Sequence, residues 1–115
     1  MKALILDGSL RGDDATVAVG DLLVRTLREA DCAAERRSLR DLDVAPCRAC
    51  LDSWTLTPGV CTTDDAARGV ARDMVGADLL VLLTPVTFGG YSSALKKVLD
   101  RSIGNISPFF TTIIF

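Results

Sequence analysis

"ADLLVLLTPV", residues 77–86, is an almost wholly apolar run of strand length. An alternating pattern would mark a sheet with one wet face, whereas a continuous run marks a parallel-sheet strand covered on both faces. Working outward, "KALILDGS" (residues 2–9) is a second such run, stopping at Asp7-Gly8-Ser9, and reads as a buried strand. In "DDATVAVGDLLVRTLREAD" (13–31), Val19, Leu23, Leu27 and Ala30 recur at helical spacing and predict an amphipathic helix beginning near Asp14. "AAERRSL" (33–39) has strand length but is polar, which suits a sheet edge. Thr62 reads as the cap of a second helix, with Asp65 three residues on and Ala66, Val70 and Met74 on its inner face. Ser92 or Ser93 caps a third, with Leu95, Val98, Leu99 and Ser102 on one side. Strand and helix alternate, which predicts an α/β sandwich with a parallel sheet and right-handed crossovers. The polar strand belongs at the edge and the two apolar strands are central and adjacent, giving the order 2-1-3. Ligands in such sheets bind beyond the carboxyl ends of the strands, where the winding reverses. There "DGSLRGDDAT" (7–16) and "TPVTFGGYSS" (84–93) meet.

The chain has 115 residues, the size of one domain, 1–115. Its net charge of −2 gives no electrostatic case for nucleic acid. The densest basic stretch, "ERRSLR" (35–40), sits among acids and reads as a solvated strand and loop. No apolar run reaches membrane-spanning length, and the opening residues lack a signal-peptide pattern. The expectation is a cytoplasmic protein without membrane partners, whose thiols stay reduced. There is no His, which excludes His-based triads, bases and metal ligands.

In the first loop Gly8 permits a tight turn or the close approach of a ligand. Ser9 and Thr16 offer hydroxyls, Arg11 a fork for an oxyanion, and the helix start its free N–H groups. A phosphate site and a plain capped turn both fit these residues; Asp13 and Asp14 oppose the phosphate by repulsion. In the second loop Gly89-Gly90 let the backbone approach a flat ligand, and Phe88 and Tyr91 either pack on a ring or close the core. No catalytic side chain stands out.

Gly8-Ser9 with Arg11 and Thr16, Pro46-Cys47 with Cys50, Pro58-Gly59 with Cys61, Asp64-Asp65, Thr84 to Gly90, and Leu95-Lys96 with Leu99-Asp100-Arg101 follow one another along the chain. In order and spacing they resemble the flavodoxin-like family of NAD(P)H-dependent FMN reductases, which includes the iron-sulfur flavoproteins. The resemblance covers nearly the whole chain. It implies a flavodoxin-like three-layer sandwich and an FMN cofactor, with Ser9, Arg11 and Thr16 on the phosphate and Pro85, Val86, Thr87, Phe88, Gly89 and Gly90 bordering the ring. NAD(P)H would be the co-substrate, passing hydride to flavin N5 and on to a small-molecule acceptor. The cofactor carries that chemistry, so the absence of His is no obstacle. Lys96 and Arg101 are read as structural ion-pair partners. Two departures stand out: Asp14-Ala15 replaces the family's Gly-Asn, and strands four and five of the family pattern are missing. Either the chain is a truncated member, or the tail "TTIIF" pairs with a second chain; a homo-oligomer is the expected assembly.

"PCRACLDSWTLTPGVC" (46–61) holds three of the four cysteines. An iron-sulfur cluster wants four thiolates, and the third position of the expected run is Ser53. Zinc would need Asp52 or Asp64 beside the three thiolates. C-x-x-C is also the spacing of a dithiol pair. The leading reading is a loop of inert, partly buried thiols with no metal, anchored by Trp54; Cys32 is read as core. The alternatives to the reductase are a cofactor-less flavodoxin-like binding or assembly module, and a thiol or metal redox module at Cys47, Cys50 and Cys61.

Overall fold

A computed structural model describes residues 1–106. The elements are β1 (Lys2–Asp7), α1 (Asp14–Glu29), β2 (Ala33–Ser38), α2 (Asp52–Thr55), α3 (Ala66–Gly76), β3 (Leu79–Leu83) and α4 (Ser93–Asp100). The described sheet is parallel in the order β2-β1-β3, as the alternation predicts. The expected tail pairing falls in 107–115, outside the described residues.

β1 is the central strand, and Ala3 to Asp7 are all buried. Leu4 and Leu6 face α3 and α4 and form a core with Leu39, Val44, Ala67, Val70, Leu95 and Val98. Each large aliphatic side chain buried there contributes about 1.5–3 kcal/mol, so this face carries most of the apolar stabilisation. The opposite face carries α1. Gly20 is its only buried residue, and a Cβ there would lie 2.5 Å from the Arg36 guanidinium and 2.9 Å from Leu83. The helix therefore seats on the sheet through a glycine. Leu23 and Leu27 are half-buried, and Val19 and Ala30, expected on the same face, are exposed.

With strands four and five of the family pattern missing, β3 lies at the free edge of the described sheet, as the order 2-1-3 implies, and Leu80 and Leu82 are 38% and 45% exposed. Register pairs them with Leu4 and Leu6, so they extend the core face past the edge of its helical cover. α3, the helix expected to start at Thr62, is capped by Asp65, whose carboxylate accepts from the Ala67 N–H at 3.0 Å. "ERRSLR" is not simply solvated. Arg36 reaches across to Asp7 at 2.7 Å and Asp21 at 2.6 Å, and Arg37 pairs with Asp73. Ser92 caps α4 and accepts from the Leu95 N–H at 3.4 Å.

Candidate functional site

The two loops meet at the carboxyl end of the sheet. The Gly8 N–H donates to the Leu83 carbonyl at 2.7 Å, joining the exit of β1 to that of β3. A Cβ on Gly8 would come within 2.6 Å of Ser92 Oγ and 3.1 Å of Leu95 Cβ. Gly8 is thus required by the approach of the α4 N-terminus, a protein contact that its composition alone did not distinguish from a ligand's.

Asp7 and Ser9 are both buried. The Ser9 N–H donates to Asp7 Oδ1 at 2.8 Å, and Arg36 Nε to Asp7 Oδ2 at 2.8 Å. Burial pushes the Asp7 carboxyl up, but these hydrogen bonds and the guanidinium charge outweigh it and hold the group below its ordinary value. The loop is therefore anchored from beneath by an Asp7–Arg36 pair that sequence reading missed. Its only signal was an acid ending an apolar strand opposite a basic strand.

Ser9 Oγ is buried and makes no well-formed hydrogen bond among the described residues, although it lies close enough to the Asp7 carboxylate to help lower it. Such a hydroxyl costs about 1–3 kcal/mol unless something accepts from it. Arg11 lies exposed on the same loop, and Thr16 is half-buried in the first turn of α1. Asp13, the helix cap, accepts from the Thr16 N–H at 3.2 Å, while its Oδ2 is buried and unpartnered. An unpartnered hydroxyl at a helix start suits a phosphate. The Asp13 carboxylate holds the N–H that a phosphate would use.

After β3, Ser92 N–H donates to Thr84 Oγ1 at 2.9 Å and pins the second loop. Thr87 and Gly90 exchange backbone hydrogen bonds of 2.8 and 3.0 Å, with Phe88 and Gly89 at φ of 49° and 78° between them. This is a two-residue hairpin with both central residues left-handed, which Gly89 adopts freely and Phe88 at some cost. Phe88 is fully exposed and Val86 84% exposed, so the hairpin presents apolar surface outward and does not close the core. Pro85 is half-buried behind it. A flat apolar ligand beside this surface is compatible with the loop, and the residues present fit a flavin mononucleotide once the Asp13 carboxylate is displaced or screened. A cleft of about 820 Å³ between α1 and β2, lined by Asp21, Arg25, Glu35 and Arg36 among others, shares no residue with either loop.

The cysteine loop packs against α3 and α4. Arg101, almost fully buried, donates to both oxygens of Asp65 at 2.8 and 2.9 Å, to the Ala45 and Thr63 carbonyls at 2.9 and 3.0 Å, and from Nε to Cys61 Sγ at 3.3 Å. Burial would raise the Asp65 carboxyl, yet Arg101 and two backbone N–H groups bring it down to about 2. Cys61 follows the same logic: burial pushes the thiol up, and the Thr63 N–H with the Arg101 guanidinium outweighs it and lowers it. Arg101 is therefore a buried clamp, while Lys96 makes an exposed pair with Asp100. Trp54 donates to the Ile103 and Ile106 carbonyls, both at 2.9 Å, and anchors the loop as expected. Cys32 is buried, also as expected.

A family model described as NADPH-dependent FMN reductase matches residues 1–112. An iron-sulfur flavoprotein of Methanocaldococcus jannaschii is 31% identical over 102 residues, 89% of this chain and 52% of that protein. An FMN-dependent NADPH-azoreductase of Staphylococcus aureus is 32% identical over 101 residues, 88% and 52%. The crystal structure of RosB with a bound intermediate, 8-demethyl-8-formylriboflavin-5'-phosphate, superposes with a TM-score of 0.69 at 25% identity, covering 88% of this chain and 41% of that one. The chain spans about half the length of the curated relatives it matches. The fold is flavodoxin-like, and the chain belongs to the NADPH-dependent FMN reductase family.

Proposed function

We propose that the chain binds FMN and serves as an NAD(P)H-dependent oxidoreductase, with Ser9, Arg11 and Thr16 at the phosphate and residues 85–90 beside the ring. The observation that carries this reading is the buried, unpartnered Ser9 hydroxyl between β1 and α1, beside the outward-facing apolar hairpin. Bound FMN would supply two-electron chemistry between NAD(P)H and a small-molecule acceptor. The chain's own residues position it. Ser9 Oγ donates to a phosphate oxygen, Arg11 neutralises its charge, and the Thr16 N–H turns from Asp13 to the anion. Gly89 gives close backbone approach, and Val86 and Phe88 keep water from the ring. The edge of β3 left open among the described residues supports self-association, and a cytoplasmic setting is part of the same reading; no described helix is long and apolar enough to cross a membrane.

The test is to add FMN to the purified chain, desalt it, and record the visible spectrum and the mass in solution. Retained flavin is expected. Removing a hydrogen bond to a charged group costs about 1.5–3 kcal/mol, so Ser9→Ala should weaken FMN binding roughly 10- to 100-fold. Folding stability should change little, because the hydroxyl makes no well-formed hydrogen bond among the described residues and only a weak contact with Asp7. A wild-type chain that takes up no flavin would refute the reading. The Asp13 carboxylate at the helix start favours the second reading, a cofactor-less module, whose signature is a well-folded dimer indifferent to FMN.

A further inference from the structure

Cys47, Cys50 and Cys61 all border one small cavity, together with Ser53 and Arg101. Its volume is about 20 Å³, room for a molecule little larger than water. The four thiols of the chain are all free, yet their settings differ. Cys32 is buried in the core, Cys50 is exposed, and Cys47 accepts only a long 3.4 Å contact from the Ala49 N–H. Among the described residues Cys61 alone accepts a hydrogen bond from a guanidinium, Arg101 Nε at 3.3 Å, and that guanidinium is fixed by Asp65 and two carbonyls; Arg48 and Asp100 also line the cavity, and the exposed Lys96 ammonium acts on Cys47 without donating to it. A cation held beside a sulfur favours the thiolate, the nucleophilic form. Around Cys50 the backbone is strained, with Ala49 and Leu51 both left-handed at φ of 54° and 61°. Side chains other than glycine reach that region at a cost, and such strain gathers where a segment has a second conformation to relax into.

We propose that Cys61 is a peroxide-reactive thiol whose oxidised form is resolved by a cysteine of the C-x-x-C segment lining the same cavity. The oxidant is hydrogen peroxide, which matches the cavity in size. In the first step the Cys61 thiolate attacks one peroxide oxygen. An S–O bond forms, the O–O bond breaks, and hydroxide leaves, to be protonated to water. Cys61 is then a sulfenic acid. In the second step the sulfur of Cys47 or Cys50 attacks the Cys61 sulfur. The S–S bond forms, the S–O bond breaks, and the second oxygen leaves as water with the attacking thiol's proton. Two thiols are oxidised, one peroxide is reduced, and two waters are released. Neither step involves a flavin, so the proposal stands or falls apart from the FMN reading. Cys61 touches the oxidant directly, and Arg101 acts through it as a positioning residue.

The test uses the full chain, reduced and then freed of reductant in the presence of a chelator, and treated with stoichiometric hydrogen peroxide. The intact mass should fall by two hydrogen atoms, and peptide mapping should find Cys61 bridged to Cys47 or Cys50. Cys61→Ser should abolish this change. A Cys47–Cys50 bridge, a bridge between two chains, or an unchanged mass would overturn the proposal. An independent measurement on the wild type guards against a variant that fails to fold. In brief alkylation with iodoacetamide near neutral pH, Cys61 should label several-fold faster than Cys47, and its rate should level off at lower pH. Equal rates and pH profiles for the two would equally overturn it.

Discussion

Asp13 holds the position on which the site depends most closely. It caps α1 and accepts from the Thr16 N–H, and its second oxygen is buried without a partner. A carboxylate there repels a phosphate and competes for the same donor. Asn caps a helix nearly as well and carries no charge. Asp13→Asn should therefore leave the melting temperature nearly unchanged and tighten FMN binding, about tenfold for each ~1.4 kcal/mol of repulsion removed. Titration of FMN fluorescence quenching checks this, and equal or weaker binding by the variant would place the phosphate elsewhere. At this scale the sequence was partly legible. Ser9, Arg11 and Thr16 stood out by type and place in a strand–loop–helix unit. That Ser9 is buried while Arg11 is exposed was not legible, because both depend on Asp7 drawing the loop inward with help from Arg36, 29 residues away. The cap of α3 failed for a similar reason. Thr62 and Asp65 are both capping residues, and Asp65 prevails while also receiving Arg101, 36 residues on.

Among the elements, β3 departs furthest from its pattern. Its run of five aliphatic residues promised cover on both faces, yet Leu80 and Leu82 are substantially exposed beside a free strand edge. The composition of a strand records that cover is needed and does not say which chain supplies it. If a second copy supplies it, Leu80→Lys with Leu82→Lys should shift the purified chain from a larger species to a monomer. Sedimentation velocity reads that shift, and unchanged sedimentation would remove β3 as the contact. The strand order was legible because it rests on gross contrasts, an acidic and basic strand against two aliphatic ones. The exposed hairpin was less so. On the loop alone Phe88 reads rather better as a core plug, and its outward placement goes with the left-handed turn it shares with Gly89.

At the level of the whole molecule, acid should expose the Asp65–Arg101 pair as a main tie. The Asp65 carboxyl is lowered from 3.8 to about 2, so it favours the folded state fully above its unfolded value and loses that contribution as pH falls from about 4 toward 2. Asp7 is also lowered and acts in the same direction. The urea midpoint should therefore drop between about pH 6 and about pH 3, and drop less in Asp65→Asn, which has already lost the charge. Breaking one partner of a buried pair costs about 3–5 kcal/mol, so that variant should be the weaker protein near neutrality. An equal acid sensitivity in the two proteins would assign the effect to other carboxylates. The same pair has a consequence for how the molecule opens. Asp65 and Arg101 together hold the Ala45 N–H and C=O, the Thr63 C=O and the Ala67 N–H, groups from the cysteine loop and the start of α3. Each of these that detaches singly leaves the buried ion pair one hydrogen bond short. In native-state hydrogen exchange the Ala45 and Ala67 amides should therefore share one opening free energy, although 22 residues of chain separate them, and the cysteine loop should exchange with α3 as a single cooperative unit.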